Sequence, residues 1–354
     1  MNFYSKVFKQ NKNLPLDKFI KKALYDEDYG FYTRKNPFGL KGDFITSPNI
    51  SVLFSEMIAI WCIAFWENLG KPKFVNIVEL GPGNGSLAFS LLKSFNNFNS
   101  FKDKYKIYLF EKSKYLIGLQ KKKLISKNIH WISNLDKVKK GPIIIIANEF
   151  FDSLPIKQYF YKNKIWYERY VKLEKNNTLN FCSKKTSLPN FTKICKFDLS
   201  KNQKFIEFSP DTVKYIKKIS KLLNKSGGGL ICFDYGFKNG KMFNSLQAIK
   251  NHTFSTILSD PGYKDITHLI NFDLLSVLFK KYNLQFEGIT SQGEFLKKMG
   301  ILERANLITK NYSFKKKADI YFRLKRLIHP NEMGELFKVM CFKKKGKKFN
   351  LGFS

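Results

Sequence analysis

The segment from residue 74 to residue 86, F-V-N-I-V-E-L-G-P-G-N-G-S, constrains the fold of this chain more than any other. It reads as an apolar strand that ends in an acid, Glu79, and continues into a loop with Gly81, Gly83 and Gly85. Glycine lets the backbone turn sharply and lets a ligand lie directly against the main chain. Residues 87–95 are typical of a helix, whose free N–H groups would face the same ligand. The segment predicts a nucleotide-type site, although such a loop can also be a plain structural turn.

The spacing of this loop narrows the class of ligand. G-x-G-x-G differs from the G-x-G-x-x-G of dinucleotide sites, and the phosphate-loop pattern G-x-x-x-x-G-K-S/T does not occur. Glu111 lies 26 residues beyond Gly85, where a carboxylate would accept hydrogen bonds from ribose hydroxyls. A nucleoside without phosphates therefore fits better than ATP. S-adenosylmethionine is such a ligand, and its positive sulfur suits a site with carboxylates.

The rest of the chain alternates between strand and helix patterns. The unbroken run of isoleucine at 143–146 is typical of a strand that is buried on both faces. Between residues 155 and 202 the pattern changes to short alternating strands, which indicates an inserted β-ribbon or a small accessory domain. We predict helices at 16–25, about 50–68, 87–95, 212–224 and 272–282, and strands at 74–79, 106–111, about 130–132, 142–147, 230–234 and 337–342. This order predicts an α/β fold with a mostly parallel, doubly wound sheet and a ligand at the carboxyl ends of its strands.

The segment A-N-E-F-F-D-S-L-P at 147–155 is the candidate catalytic element. Asn148, Glu149 and Asp152 would leave the sheet beside the methyl group of the cofactor. Paired carboxylates can hold a guanidinium group bidentately and offset its positive charge. The alternative is a helix-capping aspartate or serine beside two core phenylalanines.

The formal net charge of +35 is typical of proteins that bind nucleic acid or anionic membranes. Only five of the 63 basic residues are arginine, however, and phosphate-binding surfaces usually exploit the forked geometry of arginine. The lysines are spread along the whole chain together with many Asn, Ile and Phe residues, as an A/T-rich genome would impose. We therefore favour biased composition over a nucleic-acid surface.

The cysteine and histidine residues and the apolar segments argue against a metal site, a membrane-spanning segment and a signal peptide. The five cysteines form no C-x-x-C pair and the four histidines are scattered, so we expect reduced thiols and no metal site. The longest apolar run is far below the roughly 20 residues that span a bilayer, and the N-terminus lacks the apolar core of a signal peptide. A lysine-based mitochondrial presequence stays open. We expect a bacterial cytoplasm or a mitochondrial matrix.

Ten segments, in order and over nearly the whole chain, resemble the MidA-like methyltransferase family. The segments are Y-G-F-Y (29–32), G-D-F-I-T-S-P-N-I-S (42–51), V-E-L-G-P-G-N-G-S-L (78–87), A-N-E-F-F-D-S-L-P (147–155), W-Y-E-R (166–169), D-Y-G (234–236), S-L-Q-A (245–248), D-P-G-Y-K-D-I-T (260–267), S-Q-G-E-F-L (291–296) and H-P-N-E-M-G-E-L-F-K-V-M (329–340).

The resemblance implies a Rossmann-like class I S-adenosylmethionine-dependent methyltransferase with an N-terminal helical extension. We place the extension and a substrate-side loop at 1–70, and the methyltransferase domain at 71–354 with the insertion at about 155–202. The resemblance implies that Glu79, Gly81, Gly83, Gly85 and Glu111 bind the cofactor and that Asn148, Glu149 and Asp152 lie at the reaction centre. For Asp43, Thr46 and Ser47, a contact with substrate and a capping or turn role are both open.

The resemblance also implies a protein substrate. The mitochondrial member of the family methylates an arginine of the 49 kDa-type subunit of respiratory complex I. Two rival functions stay open, namely an assembly factor that binds a partner without catalysis and an RNA methyltransferase. A homodimer is also left open.

Two positions depart from the family pattern. The family commonly has an acid where this chain has Asn49, and a basic or other residue where it has Asn84. His329 precedes a proline, and there we favour a turn over a catalytic base.

Overall fold

The computed structural model describes residues 3–34, 37, 39, 42, 46–201 and 203–353. The helices are α1 Phe3–Val7, α2 Leu16–Tyr25, α3 Phe31–Arg34, α4 Ser47–Ile50, α5 Val52–Asn68, α6 Ser86–Asn96, α7 Lys114–Lys123, α8 Phe191–Cys195, α9 Pro210–Ser226, α10 Phe272–Lys281, α11 Gln292–Lys298, α12 Ile301–Thr309 and α13 Phe314–Ile328. The strands are β1 Asn13–Pro15, β2 Val75–Leu80, β3 Tyr105–Phe110, β4 Ile129–Ile132, β5 Ile143–Asn148, β6 Lys157–Lys162, β7 Ile165–Leu173, β8 Leu179–Lys185, β9 Phe205–Phe208, β10 Gly228–Phe237, β11 Gln247–Lys250, β12 Thr253–Ser255, β13 Asp265–Thr267, β14 Ile270–Asn271, β15 Leu284–Ser291 and β16 Phe337–Lys344.

Contacts between Cα atoms divide the chain into two compact units. The first unit comprises Met1–Phe44, Phe151–Lys217 and Phe237–Lys281, and the second comprises Ile45–Phe150, Lys218–Gly236 and Tyr282–Ser354. Each unit is thus built from three separate stretches of chain. The predicted boundary at residues 70 and 71 and the predicted insertion stay predictions, because compactness does not show which parts are specific to a family.

The second unit contains a seven-stranded path with the order β15-β16-β10-β5-β2-β3-β4. The five strands from β10 to β4 pair in parallel, whereas β16 pairs antiparallel with β10 and with β15. β2 and β5 are buried almost throughout, as expected for strands with both faces covered. The predicted mostly parallel sheet is confirmed. Because β2 pairs with β3 on one side and β5 on the other, the strand order reverses there, which is where open α/β sheets bind ligands.

Helix α5 packs its aromatic side chains into the core of the second unit. Phe54 meets Phe233 of β10 edge to face, with 5.3 Å between ring centroids, and Trp61 stacks on Phe65. The predicted helix from about residue 50 to 68 is confirmed as α5, Val52–Asn68. Ser51 has an extended backbone that separates α4 from α5, and its hydroxyl accepts a hydrogen bond from the Leu53 N–H. Ser51 therefore caps α5, because a serine oxygen satisfies a free N–H of the first turn.

The first unit contains antiparallel sheets. In one of them β7 pairs with β1, β6 and β8, and β6 pairs with β9. In the other, β11 pairs with β12 and β13. The alternating short strands predicted after residue 155 are thus confirmed as antiparallel strands. Among the described residues, no helix has the length and apolar character that a membrane span requires.

Candidate active site

The three glycines of the loop after β2 all have a backbone conformation that favours glycine. Gly81, Gly83 and Gly85 have φ angles of 63°, 54° and 75°, a region that other residues rarely adopt. A Cβ on Gly81 would lie 3.2 Å from the ring of Phe150, and one on Gly85 would lie 3.1 Å from Leu124. The side chains of Phe150 and Leu124 therefore pack closely against the loop. The loop leads directly into the N-terminus of α6.

Glu111 follows β3 and is held by hydrogen bonds to its carboxylate. Its Oε1 accepts from the backbone N–H groups of Lys112 and Ser113 at 2.8 and 2.9 Å. Burial raises its pKa, and these N–H groups and the Gln120 amide oppose the rise because they stabilise the charged form. Glu111 thus lies at the carboxyl end of the strand next to β2, as predicted.

Gln120 of α7 joins Glu111 to the glycine loop. This fully buried amide donates to the Gly83 carbonyl at 2.7 Å and to Glu111 Oε2 at 3.4 Å. Its own oxygen accepts from the Trp131 indole at 2.9 Å. Gln120 was not predicted, and the one signal in the sequence is an amide among the apolar positions of a helix that follows Glu111.

Glu79, near the end of β2, is a buried acid beside the loop. Burial, and then the nearby Glu111 charge, raise its pKa to about 8. Its Oε2 has no hydrogen-bond partner among the described residues. A buried carboxyl group of this kind fits a ligand that carries a positive charge and N–H or O–H donors, because such a ligand would favour the ionised form over the protonated form.

Asn148 and Glu149 form the corner at the end of β5. Glu149 has a φ of 52°, which is strained for a residue with a side chain, and its N–H donates to the Phe233 carbonyl at 2.8 Å. Its Oε1 accepts from the Ser47 N–H at 3.4 Å and from the Asn148 amide at 3.2 Å. Asn148 Oδ1 is buried without a hydrogen-bond partner among the described residues, so a second acceptor is available here.

Helix α4 lies against both the corner and the loop. Asn49 Oδ1 accepts from Asn84 at 3.2 Å and from the Ser86 hydroxyl at 2.8 Å, and Asn49 Nδ2 donates to Thr46 Oγ1 at 2.8 Å. The two departures from the family pattern, Asn49 and Asn84, thus contact each other. Ser47 is fully buried. That Thr46 and Ser47 contact substrate stays a prediction.

For two of the predicted site residues, a place in this group stays a prediction. Asp152 is buried in the first unit, where its backbone carbonyl accepts from the His268 N–H at 3.3 Å, and its catalytic role stays a prediction. Asp43 lies outside the described residues. His329 Nδ1 accepts from the Asn331 N–H at 3.3 Å, which is the turn geometry that we favoured.

The remaining predicted residues come together at the carboxyl ends of three neighbouring strands in the second unit. Glycine backbone follows β2, a carboxylate follows β3, and an amide and a carboxylate follow β5. This arrangement can cradle a nucleoside against bare backbone and present acceptors to a cationic group. No group of His, Cys, Asp and Glu side chains in the described part of the chain is arranged to hold a metal ion.

Comparison with known proteins shows that this chain is similar to S-adenosyl-L-methionine-dependent methyltransferases. A family model described as S-adenosyl-L-methionine-dependent methyltransferase matches residues 57–290. The protein arginine methyltransferase NDUFAF7 homolog, mitochondrial, of Caenorhabditis elegans is 32% identical over 299 residues, which cover 78% of this chain and 70% of the relative. The mitochondrial protein arginine methyltransferase NDUFAF7 of Xenopus laevis is 28% identical and covers 94% of this chain and 82% of the relative, and that of Homo sapiens is 29% identical with 90% and 77% covered.

Solved structures show the same fold. A likely methyl transferase from Burkholderia thailandensis, bound to S-adenosyl-homocysteine, superimposes with a TM-score of 0.84 at 21% identity, covering 98% of this chain and 92% of that one. The native structure of a protein of the same superfamily and organism gives 0.82. The predicted Rossmann-like class I fold is confirmed.

Proposed function

Because this chain belongs to the S-adenosyl-L-methionine-dependent methyltransferases, and is thus an enzyme that uses this cofactor, we propose that its methyl acceptor is an arginine side chain of a protein. The relatives named as protein arginine methyltransferases support the proposal. Their names also place them in mitochondria, which favours the mitochondrial matrix over a bacterial cytoplasm for this chain.

The corner at Asn148 and Glu149 is the observation that carries the proposal. Two hydrogen bonds hold Glu149 Oε1, and the backbone of Glu149 is fixed by its bond to Phe233. The Glu149 carboxylate and the Asn148 carbonyl oxygen are acceptors on adjacent residues. Acceptors placed in this way can bind the N–H groups of a guanidinium and fix its orientation.

Methyl transfer requires mainly that the accepting nitrogen is aligned with the methyl group. When bound, S-adenosyl-L-methionine supplies an electrophilic methyl group on a positively charged sulfur. Glu149 would hold the guanidinium so that one nitrogen points at that carbon, and its negative charge would stabilise the positive charge that the guanidinium keeps. Alignment of this kind can supply several kcal/mol of the barrier. The nitrogen would bond to the methyl carbon as the carbon–sulfur bond breaks and leaves a neutral thioether, and the nitrogen would lose its proton to a carboxylate or to solvent.

Two variants test the proposal with a purified 49 kDa-type subunit of complex I as substrate. We expect Gly83→Val to abolish cofactor binding, because its backbone has a positive φ and the loop is closely packed. We expect Glu149→Gln to keep cofactor binding but to lower kcat by roughly 100-fold, as the loss of one electrostatic contact typically does. The exposed Glu27→Gln is the control.

Mass spectrometry of complex I subunits with and without the protein then separates the functions. A methylarginine that depends on Glu149 supports the proposal. Full activity of both site variants would overturn it. If a cofactor-blind variant still restores complex I assembly, binding without catalysis explains the role, and methyl groups found in RNA would identify the other rival.

A further inference from the structure

Two family segments, 291–296 and 329–334, lie outside the site described above but meet behind it. Gln292 begins α11 and is fully buried. Its Nε2 donates to the Leu327 carbonyl near the end of α13 at 3.0 Å, and its Oε1 accepts from the Ser47 hydroxyl at 3.3 Å. Both ends of this amide are therefore engaged, which fixes its orientation.

Ser47 connects Gln292 to the corner at Asn148 and Glu149. It is the first residue of α4, so its N–H has no partner within the helix and is available to Glu149 Oε1. A chain of hydrogen bonds thus runs from the α13 carbonyl through Gln292 and Ser47 to the Glu149 carboxylate. α13 holds α4 at a second point, because Arg323 donates to the Ile50 carbonyl at 3.4 Å.

The backbone around Gln292 leaves no room for adjustment. A Cβ on Gly293 would lie 2.5 Å from the Ile328 carbonyl oxygen, and one on Gly334 would lie 2.3 Å from the same atom. α11 and the turn at Pro330–Gly334 therefore pack directly on the end of α13. The S-Q-G and H-P-N-E-M-G segments together make a rigid support.

We propose that Gln292 is a positioning residue for methyl transfer, which acts on Glu149 through Ser47. The proposal rests on the role of Glu149 proposed above. The bond between the Ser47 N–H and Glu149 is already long, and Glu149 itself has a strained backbone. Loss of the Gln292 amide leaves the buried Ser47 hydroxyl without its acceptor, so α4 shifts and the carboxylate loses its alignment.

The test compares two buried glutamines. Gln292→Met keeps the shape but removes both hydrogen bonds, and we expect kcat to fall roughly 10- to 100-fold while the Kd for S-adenosyl-L-methionine stays unchanged. Gln158→Met is the matched control, because Gln158 is also fully buried, with an amide that bonds Glu207 and Asn244 in the first unit. An equal loss of kcat in both variants would reduce the effect to general destabilisation and overturn the proposal.

A double-mutant cycle tests the path. Ser47→Ala removes the hydroxyl in a smaller change, and it provides the measurement if Gln292→Met does not fold. We expect the double variant to be no slower than the slower single variant, because both changes break one chain of contacts. If the two single variants lower kcat by independent factors that multiply in the double variant, the chain of hydrogen bonds from Gln292 through Ser47 does not position Glu149.

Glu149→Gln keeps the two proposals distinguishable. If this variant has full activity, the proposed role of Glu149 fails. If Glu149→Gln is slow while Gln292→Met has a normal kcat, only the positioning role of Gln292 fails.

Discussion

Glu79 is a carboxylic acid that burial keeps protonated near neutral pH. Its pKa rises from 4.5 to about 8, first because burial disfavours the charged form and then because Glu111 lies near. The folded protein therefore binds a proton that the unfolded chain releases near pH 4.5. Between these values the folded state carries more protons, so its stability falls as pH rises.

We expect Glu79→Gln to flatten this dependence, because the amide resembles the protonated acid. The difference in unfolding free energy between variant and wild type should grow with pH from about 5 to 8, by at most about 1.4 kcal/mol per pH unit. Thermal unfolding of the apoprotein at several pH values measures it. The exposed Glu27→Gln should follow the wild type. Parallel curves for Glu79→Gln and wild type would show that Glu79 titrates normally.

Asn49 links α4 to the glycine loop, and its loss should weaken cofactor binding. Asn49→Ala removes the bonds to Asn84, Ser86 and Thr46. We expect the Kd for S-adenosyl-L-methionine to rise about fivefold, or ~1 kcal/mol, measured by calorimetry. The exposed Asn99→Ala is the control.

Asn49 and Asn84, the two positions that depart from the family pattern, contact each other. Opposite charges at these positions could pair as the two amides do here. The double variant Asn49→Glu with Asn84→Arg should therefore bind the cofactor better than Asn49→Ala. Binding as weak as that of Asn49→Ala would show that the two positions act separately.

At single positions, the sequence predicts residues that sit in a local motif and misses those that act across the fold. The glycines, Glu79, Glu111 and Glu149 lie at or next to the strand ends where the sequence predicts them, and their roles stay predictions. Gln120 and Gln292 each lie on a helix whose facing partner is distant in the chain. An amide there looks like any polar helix residue until the packing is known.

Among the elements, strands are predicted within a few residues because their apolar runs are short and bounded by glycine, proline or acids. β2, β3 and β5 begin or end within one residue of the prediction. The short helix α4 was not predicted, because its four residues, S-P-N-I, are too few to show a helical period. α11 to α13 were not assigned either.

The start of β10 provides a paired test of sheet packing. Gly227 and Gly228 both have positive φ, but a Cβ on Gly228 would lie 1.8 Å from the Ile143 carbonyl oxygen, whereas Gly227 has open space. We expect Gly227→Ala to cost about 1 kcal/mol from backbone strain alone. Gly228→Ala should cost at least about 4 kcal/mol, because β10 must leave β5. Denaturant unfolding measures both, and equal losses would show that the strand adapts.

At the scale of the whole molecule, composition predicts little about arrangement. The net charge of +35 suggests a nucleic-acid partner, while the motifs and relatives point to a protein. The two compact units each draw on three separate stretches of chain. The domain prediction from the sequence places one boundary, at residues 70 and 71. Short-range patterns do not show which distant stretches of a chain pack together.

The five cysteines report on the compactness of both units. Cys62, Cys195, Cys232 and Cys341 are buried, whereas Cys182 is only half-buried. Burial raises the pKa of Cys62, Cys195 and Cys341 and also that of Cys182, so the difference between the thiols is their access to a reagent. A thiol reagent should therefore label one thiol quickly in the native protein and five in denaturant. Cys182→Ser should remove the fast reaction. Several fast thiols in the native protein would contradict this packing.

The position of β16 has a consequence for biosynthesis. β10 pairs with β16, from Gly229 opposite Lys343 to Tyr235 opposite Phe337, yet about 100 residues separate the two strands in the chain. A ribosome that adds roughly 5–20 residues per second needs about 5–20 s to make that stretch. Throughout this interval the residues of β10 that later pair with β16 lack that partner, and unpaired edges invite aggregation. The nascent protein should therefore depend on a chaperone between the synthesis of β10 and that of β16.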